Sequence, residues 1–217
     1  EIIFYGGEPL INFQTLKFVV LKAKEYSLTG KLSSKLKFSM VTNGVLLDED
    51  KISFLKEHEI AVSISLDGAV EADNAARVDR NGRNIFNVVS EKIALANRMN
   101  FELGLSVTIT PNLFQNLEPL IDFLQRNNIN AVCFNILYGV DTFSVSEDYY
   151  RRATEFIISF YEKTKNIPIY EERFARKLNT FTRGGIYYSD CAATSGSQIV
   201  VTPSGEVGIC HGCLEYR

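Results

Sequence analysis

Apolar residues recur along this chain in two rhythms. Short runs at 2–5, 37–41, 61–66, 102–109 and 131–137 have the length and β-branched content of strands. Between them, roughly at 13–27, 48–57, 84–99 and 114–126, apolar positions recur with a spacing near 3.6, which predicts helices. Asn12 and Asp48 stand where helix N-caps belong, and Asn112 follows Pro111 in the same position ahead of the last of these helices. Alternation of this kind predicts βαβ units and a parallel sheet, in either an open doubly wound fold or a barrel.

The polar interruptions all fall after strands. "GGEP" (6–9) follows the first, "TNG" (42–44) the second and "SLDG" (65–68) the third. Both parallel architectures place ligands at the C-terminal ends of strands, so these three loops are expected to share one mouth. Beyond Gly139 the rhythm changes. Helices are expected at 147–164 and 171–182, then a loop, then a hairpin over 197–210 with Pro203, Ser204 and Gly205 at its turn. A boundary near 183 divides the chain into domains of 1–183 and 184–217.

Composition narrows the partners. At 217 residues and 46% hydrophobic, the chain can bury a sizeable core. A net charge of −3 offers no broad attraction to nucleic acid or anionic lipid. No apolar run approaches the roughly 18 residues of a membrane helix, and nothing reads as a signal peptide, so the expected location is cytoplasmic. Three of the four cysteines, Cys191, Cys210 and Cys213, fall in the last 27 residues, a crowding that favours metal or cluster ligation over disulfides in a reducing compartment. Cys133, in an apolar strand, reads as a core thiol, and His58 as a surface residue at a helix end.

The loops carry complementary chemistry. Gly6 and Gly7 permit close backbone approach, Glu8 can accept from an ammonium group, and Pro9 turns the chain off the sheet. Each of these features also suits a plain βα turn. Ser65 and Asp67 are turn residues with polar side chains, and Arg77, ten residues after Asp67, can hold a carboxylate through two parallel bonds or simply be solvated. Taken together, the two sides suit the ammonium and carboxylate ends of an amino-acid moiety.

"FYGGEPL", "VTNGVLL" and "VSISLDG" followed by an Asp and an Arg, in that order and at these intervals, resemble the radical S-adenosylmethionine (radical SAM) enzymes, more narrowly the branch that matures sulfatases and ribosomal peptides. The resemblance implies a partial (β/α)6 TIM-like barrel in which GGEP ends the second strand. It implies that Gly6, Gly7 and Glu8 meet the methionine ammonium of S-adenosylmethionine, that Ser65 and Arg77 hold its carboxylate, with Asp67 in the same motif, and that Thr42 and Asn43 lie near the cofactor. Relatives often have His before the acid that precedes the arginine; here Ala72 precedes Asp73. Cys191, thirteen residues, Gly205, four residues and Cys210 resemble the opening of the SPASM extension, which binds auxiliary 4Fe-4S clusters, with Cys213 as a further candidate ligand. Relatives can carry another cysteine soon after the first, where this chain has Ser195 and Ser197. A zinc site from Cys191, Cys210, His211 and Cys213 is the alternative.

The family's catalytic 4Fe-4S cluster is held by a CxxxCxxC loop after its first strand, and no CxxxCxxC occurs in this sequence. The resemblance therefore implies a fragment lacking roughly one βα unit in front, catalytically inactive by itself, whose strand at 1–6 is an edge able to self-associate. For the intact protein it implies reductive cleavage of S-adenosylmethionine to a 5′-deoxyadenosyl radical, modification of a peptide or protein side chain, and an electron donor such as flavodoxin or ferredoxin. No residue is assigned as catalytic acid or base. The rivals are a degenerate barrel that binds a peptide without catalysis and a non-redox ligand-binding barrel.

Overall fold

A computed structural model describes residues 1–137, 146–185 and 192–210. The chain divides into two compact units, Glu1–Glu171 and Glu172–Arg217. The division falls ahead of the boundary expected near 183, so the helix that follows Glu171 belongs with the second unit.

The first unit is built on six parallel strands: β1 (Ile2–Phe4), β2 (Phe38–Thr42), β3 (Ile60–Ser65), β4 (Leu103–Ile109), β5 (Ala131–Ile136) and β6 (Tyr170–Glu171). Their spatial order is the order of the chain. A doubly wound sheet reverses its strand order at a switch point; this one does not, which decides for a barrel wall. Helices α1 (Phe13–Leu28), α2 (Glu49–Glu57), α3 (Phe86–Arg98), α4 (Leu117–Arg126) and α5 (Glu147–Thr164) occupy the intervals between strands.

The helices cover one face of the sheet. α1 buries Leu16, Val20 and Ala23, α3 buries Val89, Ile93 and Ala96, and α5 buries Ala153, Phe156 and Phe160, each set at helical spacing. They meet the strand residues of one parity: Phe38 and Met40, Val62 and Ile64, Leu105 and Val107, Val132 and Phe134. Phe134 stands edge-on to both Phe156 and Phe160, at 5.5 and 5.0 Å between centroids.

Residues of the other parity are small and half-buried: Ser39, Val41, Ser63, Ser65, Gly104, Ser106, Thr108, Ala131, Cys133 and Asn135. Closed parallel barrels fill their interior with bulky branched side chains. Here that face stays open. Cys133, expected in the core, lies on this open face in register with Ser106, because the strand alternates and its buried positions are taken by Val132 and Phe134.

Local signals explain most element ends. Asn12 accepts from the Thr15 amide and Asp48 from the Lys51 amide, as N-caps do. Asn112 does not cap a helix: Pro111–Gln115 forms a single 3-10 turn, α4 begins at Leu117, and the Asn112 amide donates instead to the Ala72 carbonyl. The Tyr149 hydroxyl donates to the Ile109 carbonyl and accepts from the Leu137 amide, tying the ends of β4 and β5 together. Burial pushes that phenol above its usual range.

The second unit contains α6 (Glu172–Thr182) and a hairpin of β7 (Val200–Val201) and β8 (Val207–Gly208), its turn closed by Thr202 and Glu206. Among the described residues, no helix is long and apolar enough to cross a membrane.

Candidate functional site

The three loops predicted to share a mouth do so, since β1, β2 and β3 are parallel neighbours and each loop leaves a C-terminal strand end. What fixes them is a pair of carboxylates.

Glu8 is the first. Its Oε1 accepts from the Leu10 amide at 3.0 Å and the Thr42 hydroxyl at 2.6 Å, and its Oε2 accepts from the Asn43 amide at 2.8 Å. The carboxylate thus caps the 3-10 turn Pro9–Asn12 and staples the first loop to the second. Gly6 and Gly7 precede it at φ of 91° and 30°, in the left-handed region that side chains disfavour, with nothing within 4 Å of where a Cβ would sit. The peptide groups of this turn are accordingly uncovered. Thr42 is 2% exposed, and its hydroxyl also accepts from the Gly44 amide, so it acts on the site through Glu8. The Asn43 side chain accepts from the Val45 amide and shapes its own loop.

Asp67 is the second carboxylate. It receives Arg77 through two bonds of 2.7 Å, from Nε to Oδ2 and from Nη2 to Oδ1, and its Oδ1 also accepts from the Thr108 amide at 2.9 Å. The Asp67 side chain is 5% exposed and that of Arg77 27%. A bidentate pair of this kind is strong and directional. Arg77, expected to hold a ligand carboxylate, is therefore already aimed by Asp67, with Nη1 outside that pair. Ser65, the last residue of β3, lies in register with Ser106 on the open face, one step before the loop.

Beneath this loop lies a bracket that the linear sequence did not announce. Asn74 is fully buried; its Oδ1 accepts from the Asp67 amide and its Nδ2 donates to the carbonyls of Gly68 and Val70. Asn84 donates to the Asn74 carbonyl, and Asn116 to Asp73 Oδ1. A Cβ on Gly68 would lie 2.3 Å from Asp73 Oδ2, so only glycine fits there. The one available signal was the density of Asn and Asp between 67 and 84, typical of segments whose side chains bond to backbone.

The cysteines are less defined. Cys191 and Cys213, with His211, lie outside the described residues, and Cys210 is half-buried at the end of the hairpin. Among the described residues no three His, Cys, Asp or Glu side chains converge on a common point. His58 is not a plain surface residue. It is half-buried, edge-on to Phe54 at 4.2 Å, with Lys24 Nζ 3.3 Å from Nδ1.

The arrangement fits a zwitterionic amino-acid moiety. Glu8 receives only neutral donors, so its negative charge has no cationic partner among the described residues, while Arg77 presents an oriented guanidinium on the same strand edge. The residues do not fit a family-type catalytic cluster, because the 217 residues hold no CxxxCxxC.

The chain is similar in sequence and fold to known proteins. The sequence model of the Radical SAM superfamily matches residues 1–126. A cysteine-type anaerobic sulfatase-maturating enzyme of Clostridium novyi (strain NT) is 28% identical over 132 residues, covering 60% of this chain and 34% of its own length. The solved structure of native anSMEcpe with bound AdoMet superposes with a TM-score of 0.79 at 22% identity, over 96% of this chain and 59% of that one. Streptococcus suis SuiB bound to precursor peptide SuiA gives 0.65 at 15%, over 99% and 49%. The chain thus spans between about a third and three fifths of the length of these proteins.

Proposed function

This chain belongs to the Radical SAM superfamily, and from that premise we propose that its first unit is the S-adenosylmethionine-binding portion of a maturase that modifies a peptide or protein side chain. The observation that carries the reading is the pair of carboxylate brackets at one strand edge, one left with an unpaired negative charge and one aiming a guanidinium.

In this reading the carbonyls of the Gly6–Gly7 turn and the Glu8 carboxylate receive the methionine ammonium. Ser65 Oγ and Arg77 receive the methionine carboxylate, with Asp67 orienting Arg77. Thr42 and Asn43 hold Glu8 in place. When bound beside a reduced iron–sulfur cluster, S-adenosylmethionine supplies a radical able to take a hydrogen atom from a substrate. Residues 184–217 read as the opening of a SPASM extension, with Cys191, Cys210 and Cys213 as ligands of an auxiliary 4Fe-4S cluster. A peptide substrate, a flavodoxin or ferredoxin donor and a reducing cytoplasm complete the reading.

Equilibrium dialysis of labelled S-adenosylmethionine tests it. Saturable binding is expected, weakened about tenfold by Glu8→Gln, the cost of losing one charge-assisted contact. Absence of saturable binding overturns the reading. Because these residues contain no CxxxCxxC, anaerobic treatment of the same chain with iron and sulfide is expected to yield no 5′-deoxyadenosine.

A further inference from the structure

Asn is followed by Gly twice in this chain, at 43–44 and at 81–82. In such a pair the glycine nitrogen can attack the asparagine side chain, because no Cβ hinders its approach. The sequence alone offers no choice between the two pairs. Their surroundings do.

Asn43 is held from several sides. Its Oδ1 accepts from the Val45 amide at 3.0 Å, its own amide donates to Glu8 at 2.8 Å, and the Gly44 amide donates to the Thr42 hydroxyl at 3.1 Å. Gly44 is buried, and a Cβ there would lie 3.2 Å from the Ile64 side chain. Bringing the Gly44 nitrogen onto the Asn43 side chain means dismantling this loop.

Asn81 is exposed at the tip of a hairpin rooted at Arg77, whose carbonyl accepts from the Ile85 amide at 3.0 Å and whose arms meet at Val78 and Asn84. Asp79 builds the turn. Its Oδ1 accepts from the amides of Asn81 and Arg83, at 2.8 and 3.0 Å, and its Oδ2 from Arg83 Nε at 2.9 Å. The Asn81 carboxamide makes no hydrogen bond to a described residue, and nothing lies within 4 Å of where a Cβ on Gly82 would sit. The Gly82 amide donates to the Asp79 carbonyl at 3.0 Å, on exposed surface where water can take its place.

We infer that Asn81 is a site of spontaneous covalent modification, converted through a cyclic imide to aspartate and isoaspartate, while Asn43 is protected. The Gly82 nitrogen loses its proton to solvent and bonds to Asn81 Cγ, the bond from Cγ to Nδ2 breaks, and ammonia leaves. Water then opens the imide at either carbonyl. One opening leaves an aspartate; the other leaves an isoaspartate, whose backbone is longer by one methylene. That extra atom breaks the register of the turn, in which the Asp79 amide meets the Arg83 carbonyl at 2.8 Å. The hairpin behind Arg77 thereby opens. None of this rests on the cofactor reading.

The test incubates the full chain in mildly alkaline buffer, folded or in urea, then cleaves it after glutamate and maps the peptide masses. Segments 26–49 and 72–91 then carry one Asn-Gly pair each. In the folded chain, 72–91 should gain the mass of an acid in place of an amide and split into aspartyl and isoaspartyl forms. Segment 26–49 should lag at least about tenfold, the factor for one hydrogen bond that must open first. In urea the two segments should convert at similar rates. Asn81→Ser should leave 72–91 unmodified, and the modified chain should exchange its Asp79 and Ile85 amide hydrogens faster than the fresh one. Equal rates in the folded chain, faster conversion of 26–49, or an unconverted 72–91 overturns the inference. So does conversion of 72–91 that persists in Asn81→Ser. Unchanged hydrogen exchange after modification overturns the opening of the hairpin.

Discussion

Two carboxylates do the same mechanical task at the mouth by different means. Glu8 and Asp67 each follow a strand, each accept three hydrogen bonds, and each take one from a backbone amide in or just past the next strand in order, Asn43 after β2 for Glu8 and Thr108 in β4 for Asp67. They differ in the remaining partners. Glu8 has a hydroxyl and an amide; Asp67 has a guanidinium. One bracket keeps its charge and the other cancels it. The lesson is that the first can bind a cation directly, while the second works as a rigid mount for Arg77.

The sharpest way to break this comparison is Asp67→Ala. It leaves Arg77 without its anion and the Thr108 amide unpaired, and is expected to cost about 3 kcal/mol in urea denaturation. Glu8→Gln should cost less, about 1 kcal/mol, because no buried charge is stranded, yet it should weaken S-adenosylmethionine more than Asp67→Asn does. Equal stability losses with unchanged binding would erase the distinction. Gly68→Ala drives a methyl into Asp73 and should destabilise the second bracket by about 1–3 kcal/mol while leaving the first intact.

Smaller effects probe the flank of the Glu8 side. β1 pairs only with β2 among the described residues, and Ile3 is 56% exposed. An unpaired strand edge of this kind recruits other chains, so sedimentation should rise with concentration, and Ile3→Lys should suppress that rise. Smallest of all is a pH effect at His58. Burial holds its imidazole below the usual range, and Lys24 adds to the shift. The folded state then binds a proton less readily than the unfolded one, so stability should fall as pH drops through about 6.5 and level off below, a slope that His58→Gln removes.

The five longer strands and the helices between them were legible because each has a clear period. The two-residue β6 was not, since two residues carry no period, and its register with β5 depends on contacts from a distant segment. The alternation in "FSMVT" and "LGLSVTI" also marked which residues face the helices, though not that the opposite face stays open. At the site, GGEP and SLDG stood out as contiguous polar insertions after strands. The pairing of Asp67 with Arg77 was not legible, because an arginine ten residues away serves equally for a ligand or a neighbour. Asn116 and the Thr108 amide reach the bracket from more than forty residues along the chain, beyond any local pattern.

The open face carries a further consequence for how such a protein can change. Ser63, Ser65, Ser106, Thr108 and Asn135 are not part of the hydrophobic core, to which the strands contribute residues of the opposite parity. Replacing one of them changes the open face while sparing the residues packed against the helices. The open face and the core are thereby carried by alternate residues of the same strands, so the one can vary a position at a time with the scaffold's stability held in reserve.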